Sequence, residues 1–278
     1  MNKNYVINLK INYDNETIEK QNIINCIKDK ITFIMDKKGI SLASENDDHV
    51  DYVFSIGGDG TMLHSMHKYI NKDSLVIGIN AGNVGFLTPY EISDLNDDSI
   101  FKFLELDSKP RVERRCILEY EFDGKRFGAV NEYAFTAHHP NQVIGFTVDS
   151  EIDGIVSKTG LYKANTLLLS TPSGSTAYNM NAGGAIVDPS IRAIQMLMIA
   201  PNVLGNRPLI FNEKSTLHVT FTTDIEIFSD GILTSTIPAG EKISIKLMEK
   251  DSKILVPDDW NFYSILSKKL HWNNGRDV

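Results

Sequence analysis

The sequence predicts an α/β domain with a parallel sheet, then an all-β domain of antiparallel strands and a closing helix. Three observations carry that expectation. Strand-like and helix-like segments alternate up to about residue 104, which argues for a parallel sheet with right-handed crossovers. Beyond that point short runs alternate apolar and polar residues with a period of two. They are bounded by turns such as Asp123-Gly124 and Pro238-Ala239-Gly240, the pattern of antiparallel sheets. The tail from Phe262 to Trp272 then sets Phe262, Ile265, Leu266 and Leu270 at helical spacing. The expected divisions are 1–104 for the α/β domain, 105–255 for the β domain and 256–278 for a segment packing back on the first domain.

Taken in order, residues 5–12 read as a strand, and Ile18, Ile23, Ile24, Ile27, Ile31 and Ile34 predict a helix over Ile18–Met35. A strand from Asp51 to Ile56 stops at Gly57-Gly58-Asp59-Gly60-Thr61. A helix follows, with Met62, Leu63, Met66, Tyr69 and Ile70 on one side. The run Leu75-Val76-Ile77-Gly78-Ile79 is apolar without alternation, which fits burial on both faces of a parallel sheet. Ligands of such sheets bind outside the carboxyl ends of the strands, where Asp59 and Asn80 stand. Antiparallel strands are expected at Glu119–Phe122, Arg126–Val130, Leu217–Phe221, Ile225–Phe228 and Ile243–Leu247.

Composition narrows the function. The chain has 278 residues, 42% of them hydrophobic, enough for one large domain or two medium ones. The net charge is −8 and no basic stripe is interleaved with aromatics, which argues against nucleic acid as a partner. Met1 to Tyr5 shows no signal-like apolar stretch, and no run approaches a membrane span, so a cytoplasmic protein is expected. Cys26 and Cys116 are too few for a disulfide scaffold and read as reduced cysteines. His64 with His67, and His138 with His139, form two pairs. No carboxylate or cysteine in the sequence completes a tetrahedral set around either, so packing and solvent exposure are the expected fates.

The chemistry concentrates in three places. At the glycine turn, bare backbone can approach a ligand and take positive φ, and the helix start beyond offers free N–H groups suited to phosphate. Asp59 is then a carboxylate held where phosphoryl transfer can occur. The turn is no P-loop, lacking Lys-Ser or Lys-Thr after the glycines, and its spacing is not Gly-x-Gly-x-x-Gly. The plainer alternative is a βα turn with a helix-capping Asp. Asn131-Glu132, after Phe127–Val130, suits hydrogen bonds to a ribose or a base edge, and suits a solvated turn equally. The third place is Ser170-Thr171-Pro172-Ser173-Gly174-Ser175-Thr176-Ala177-Tyr178, followed by Asn179 and Gly183-Gly184. Such small side chains let a flat ring press against the backbone, and Tyr178 can stack on it or reach a ribose. Helix caps account for part of this run, not for nine small or polar residues together. A hydrolase reading of these serines fails, since Gly-x-Ser-x-Gly is absent and nothing marks a partner base.

Together these motifs resemble those of the NAD kinase family. The resemblance rests on Gly57–Thr61, Gly78-Ile79-Asn80, Gly85-Phe86-Leu87-Thr88, Glu113-Arg114-Arg115, Asn131-Glu132, Thr171–Tyr178, Arg207-Pro208-Leu209, Asp230-Gly231 and the closing Phe262-Tyr263 to Trp272 segment. It implies a Rossmann-like domain, a β-sandwich domain, and transfer of the ATP γ-phosphoryl group to the 2′-hydroxyl of NAD's adenosine ribose, giving NADP. Asp59 is then the general base. Asn131, Glu132, Thr176, Ala177 and Tyr178 line the NAD site, and Gly57, Gly58, Gly60, Thr61, Asn80 and Phe86 are further substrate-binding positions. Mg²⁺ comes with ATP rather than on protein ligands. Homodimers or homotetramers are implied, with a neighbouring subunit completing part of the site.

Two departures stand out. Where the family shows Gly-Asp-Gly this chain has Ala164-Asn165-Thr166, so Asn165 stands at a dinucleotide-binding position without the charge. Pro201–Arg207 is shorter than the usual bacterial form and lacks its histidine. Two other functions compete. Lipid kinases and phosphofructokinases carry Gly-Gly-Asp-Gly but lack the Thr-Pro-Ser-Gly-Ser-Thr-Ala-Tyr cluster. A non-catalytic NAD- or NADP-sensing protein is favoured by Asn165 and disfavoured by Asp59.

Overall fold

The computed structural model describes residues 3–9, 17–44, 46–81, 85–95, 99–105, 107–139, 142–203 and 205–271. By its contacts the chain divides into Met1–Arg114 with Ser252–Val278, and Arg115–Asp251.

The first unit begins with β1 (Asn4–Leu9), α1 (Ile18–Lys37), β2 (Ser41–Leu42), β3 (Tyr52–Gly57), α2 (Asp59–Lys68), β4 (Leu75–Asn80), β5 (Tyr90–Glu91) and β6 (Val112–Arg115). Residues 10–12 of the expected first strand lie outside the described residues. Thr17 caps α1 by accepting the Lys20 N–H. The helix buries Ile24, Ile27, Ile31 and Met35, spaced three and four apart, in one cluster with Tyr5, Phe54, Ile56, Ile77 and Ile79. The opposite face of β3 meets α2, where the Ser65 hydroxyl donates to Ser55 Oγ at 3.0 Å and accepts from Asn8 Nδ2 at 3.1 Å. A sheet covered on both faces leaves no solvent side, and every residue of β3 is buried.

The second unit is all sheet: β7 (Leu118–Phe122), β8 (Lys125–Ala129), β9 (Glu132–Ala137), β10 (Ile144–Ile152), β11 (Ile155–Ala164), β12 (Thr166–Ser170), the four-residue α3 (Tyr178–Asn181), β13 (Ala193–Ile199), β14 (Leu209–Asn212), β15 (Thr216–Phe221), β16 (Ile225–Ser229), β17 (Ile232–Ile237) and β18 (Lys242–Leu247). One sheet runs β11–β10–β15–β18–β7–β8 and the other β14–β13–β12–β9–β16–β17, antiparallel throughout. Inward residues of both share one core, with Phe135 of one sheet stacked on Phe221 of the other at 5.4 Å between centroids. Three hairpins turn on Asp-Gly pairs with both residues at positive φ: Asp123-Gly124, Asp153-Gly154 and Asp230-Gly231.

The chain then returns to the first unit with β19 (Ser252–Leu255) and α4 (Phe262–Leu270). β19 pairs parallel with β4, giving the order β2–β1–β3–β4–β19–β6 with β5 beside β4. Asn261 caps α4 through the N–H groups of Tyr263 and Ser264, and Ile265 and Leu266 are its buried residues. Trp272 lies outside the described residues.

Candidate functional site

At the carboxyl ends of β3 and β4, Gly57 stands in register with Asn80. Gly58 is the N-cap of α2 and Asp59 its first residue, where a negative charge suits the helix dipole. Asp59 does not cap its own helix, as the plainer reading of the turn would have it. Its Oδ2 accepts the N–H of Phe86 at 2.8 Å and its Oδ1 the N–H of Leu87 at 2.9 Å. Lys269 of α4 sets its Nζ 3.5 Å from the same Oδ2. The carboxylate is therefore clamped, and the clamp needs glycine at position 85. A Cβ there would lie 2.1 Å from Asp59 Oδ1 and 2.3 Å from Thr88 Oγ1.

The glycines of the turn work differently from expectation. None of Gly57, Gly58 and Gly60 takes positive φ. Gly57 is required by contact instead, since a Cβ would stand 2.2 Å from the buried Thr61's Oγ1. Gly58 and Gly60 face open space and leave the start of α2 bare, as an approaching anion needs. Asn80 is buried and donates to Glu91 Oε1 at 3.1 Å, while Thr88 Oγ1 is buried without a partner in the protein. In the same unit a cavity of about 770 Å³ is lined by Thr88, Tyr90, Arg111, Trp260 and Lys268 among others and by no residue of the glycine turn, a size in the usual range for small-molecule sites.

In the second unit, Asp230 on the β16–β17 turn gathers the N–H groups of Val130, Asn131 and Glu132 at 2.8–2.9 Å. The serine-rich segment docks on the same junction. Thr171 donates its N–H to Asn131 O at 2.8 Å and its hydroxyl to Val130 O at 2.5 Å. Gly174 lies so close that a Cβ would be 2.1 Å from Asn131 O. Asn131, Glu132 and the segment leading to Thr176, Ala177 and Tyr178 are thus brought together. Ser173–Thr176 is a 3₁₀ turn, with the Ser175 hydroxyl donating to Pro172 O at 2.6 Å and accepting the Val187 N–H at 3.0 Å. Tyr178 follows with 44% of its surface exposed. Asn165 is elsewhere: it occupies the bend before β12 and bonds its N–H to Ile199 O. It stands five residues from Ser170, the strand partner of Glu132, roughly 17 Å along an extended chain.

Glu132 Oε2, Ser170 Oγ and Ser173 Oγ are all buried without a hydrogen-bond partner in the protein. Buried polar atoms are nearly always paired, so such a cluster is suited to a polar ligand. Burial, with the charge of Asp230 second, pushes the Glu132 carboxyl up to about 8. The unfolded chain releases that proton near 4.5, so between these values the folded state holds one proton more and stability falls as pH rises. The wild type should therefore lose stability relative to Glu132→Gln between about pH 5 and about pH 8.5, as urea midpoints would register. Parallel midpoints across that range would contradict the assignment.

Asp230, Gly85 and Lys269 were not expected as site positions, although all three lie in motifs of the resemblance. Their partners are distant in sequence, and the only local sign is the Asp-Gly turn at Asp230. His138 pairs with the Glu226 carboxylate at 2.8 Å on the surface. Among the described residues no three His, Cys, Asp or Glu side chains gather into a metal-holding group, and no described helix is long and apolar enough to cross a membrane.

Comparison with known proteins agrees over most of the chain. Residues 6–100 match the ATP-NAD kinase N-terminal domain, and residues 130–256 match the ATP-NAD kinase C-terminal domain. An NAD kinase of Fusobacterium nucleatum is 31% identical over 273 residues, covering 96% of this chain and 98% of that protein. The NAD kinase of Sodalis glossinidius is 34% identical over 235 residues, 80% of this chain and 77% of its own. Among solved structures, the yeast NADH kinase complexed with NADH superposes with a TM-score of 0.82 at 20% identity, covering all of this chain and 89% of that one. An Archaeoglobus fulgidus NAD kinase in complex with ATP gives 0.74 at 22% identity, with 96% and 98% covered. At those identities the structural likeness speaks for the fold.

Proposed function

The chain belongs to the ATP-NAD kinase family, and from that membership we infer that it transfers the γ-phosphoryl group of ATP to the adenosine-ribose 2′-hydroxyl of NAD, making NADP. The observation that carries this reading in the molecule itself is the clamped Asp59 carboxylate at the bare start of α2. A ribose hydroxyl is a poor nucleophile at neutral pH, and a positioned carboxylate that takes its proton is the expected aid. Asp59 spends one acceptor direction of each oxygen on backbone N–H groups and keeps others for that proton. As the 2′-oxygen bonds to the γ-phosphorus, the bond from γ-phosphorus to the bridging oxygen breaks and ADP leaves. The free N–H groups at Gly58–Gly60 suit the charge on the transferring group. A divalent metal would come on the triphosphate and neutralise part of that charge.

Glu132, Ser170 and Ser173 offer unpaired polar atoms to ribose hydroxyls or a base edge, and Asn131, Thr176, Ala177 and Tyr178 complete that wall of the dinucleotide site. Tyr178 is exposed where a core tyrosine would be buried, so Tyr178→Ala should leave stability nearly unchanged. It should raise KM for NAD about tenfold with a smaller effect on kcat. Unchanged NAD affinity by titration calorimetry would remove Tyr178 from the site. Asn165 lies too far from Glu132 to serve the same cluster and is assigned to the site of a neighbouring copy in a homodimer or homotetramer. The edge strand β11, with Ile155, Val156 and Leu161 exposed, is a surface that such assembly would cover. Both cysteines are free thiols, which suits a cytoplasmic location.

The deciding experiment incubates the purified protein with NAD, Mg²⁺ and ATP and assays NADP. NAD binding without NADP formation would turn the reading toward a sensor.

A further inference from the structure

The closing helix brings a cation to the catalytic carboxylate. On α4, Phe262, Ile265, Leu266 and Lys269 recur at helical spacing and share one face. Ile265 and Leu266 are buried, and Phe262 packs 6.4 Å from the Phe86 ring. Lys269, one turn further on, lies with its Nζ 4.3 Å from the centroid of Phe86 and 3.5 Å from Asp59 Oδ2. That face is thus apolar except where it reaches the carboxylate. The ammonium group has two fixed reference points, the face of an aromatic ring and an anion. Phe86 holds both partners at once, since its N–H bonds Asp59 and its ring underlies Lys269.

We propose that Lys269 is a positioning residue for the phosphoryl transfer: it holds the Asp59 carboxylate in one orientation against the Phe86–Leu87 backbone, so that the acceptor hydroxyl meets it in register. This deepens the kinase reading above and rests on it. The backbone clamp alone fixes the carboxylate from one side. The ammonium adds a second constraint on Oδ2, and it comes from a helix more than two hundred residues from Asp59 in the sequence. Both side chains of the pair are partly exposed, so the contact adds little to stability. Its effect belongs to turnover.

Lys269→Met keeps the unbranched stem and removes the charge. Its kcat should fall about ten- to a hundredfold, the order that loosening a reacting group by an ångström costs. KM for NAD should stay within about twofold, as for an interaction felt only in the transition state. The thermal midpoint should hold, and Lys269→Arg should recover most of the loss. In an Asp59→Asn background the same change should cost almost nothing, because the group it positions is gone. Wild-type kcat in Lys269→Met would overturn the inference. So would an undiminished loss in the Asp59→Asn background, which would mean that the lysine acts on the phosphate directly. A loss matched by a collapsed thermal midpoint and not restored by arginine would reduce Lys269 to helix packing. If the wild type itself makes no NADP, the kinase reading fails instead.

Discussion

Asp59→Asn should lower NADP turnover by about two to four orders of magnitude, the usual worth of a general base. The substitution has two effects that kinetics can separate. The amide cannot accept the hydroxyl proton, which removes the chemistry. It also turns one NH₂ toward a backbone N–H, so one of the two bonds to Phe86 and Leu87 is lost and the loop before β5 loosens. Leaving one such donor unsatisfied costs about 1–3 kcal/mol, enough to lower the thermal midpoint without unfolding the domain. NAD affinity should change little, because the unpaired groups assigned to the dinucleotide lie on the β9 and β12 segments. The checks are single-turnover kinetics, a melting curve and an NAD titration. NADP formation near the wild-type rate would sink the role given to Asp59.

That turn was legible in the sequence because it is local: strand, glycines, acid and helix follow within a dozen residues, and the structure keeps them in that order. The sandwich was legible for a similar reason. Alternation with a period of two is written into each strand, as in β18, where exposed and buried residues alternate without a break. What could not be read is what long-range contact decides. The strand Ser252–Leu255 joins the parallel sheet beside β4, whose first residue lies more than a hundred and seventy positions earlier. The glycines at 57 and 85 were legible as glycines but not for their reason. That reason is a side chain pressing on each, from Thr61 in one case and from Asp59 across the turn in the other. Asp230 is the clearest instance. Its own sequence announces a hairpin turn, yet its carboxylate organises Asn131 and Glu132, 99 and 98 residues away.

That organisation makes Gly174 the other position where a single methyl group should have a large effect. Gly174→Ala would place a Cβ 2.1 Å from Asn131 O, 2.5 Å from its carbonyl carbon and 2.8 Å from its Cα. These are backbone atoms, so no rotamer change can clear them. Neither side is free to retreat. Asn131 is held by Asp230 through its N–H and by Thr171 through its carbonyl. Gly174 is held through its own N–H to Thr171 Oγ1 at 3.1 Å and its carbonyl to the Ala177 N–H at 2.9 Å. Relief therefore has to come from moving the whole serine-rich segment away from Asn131-Glu132. Overpacking of this kind costs about 1–3 kcal/mol, seen as a lower thermal midpoint. The larger effect falls on the ligand. A displacement of about an ångström in a positioning segment can cost roughly a hundredfold, and here it moves Thr176, Ala177 and Tyr178 together relative to Glu132. NAD affinity should fall by about that factor, while the glycine turn at Asp59, in the other unit, keeps its geometry. Calorimetric titration with NAD beside a melting curve separates the two consequences. A variant that binds NAD as tightly as the wild type would show that the junction of Asn131 with Gly174 is not part of the dinucleotide site.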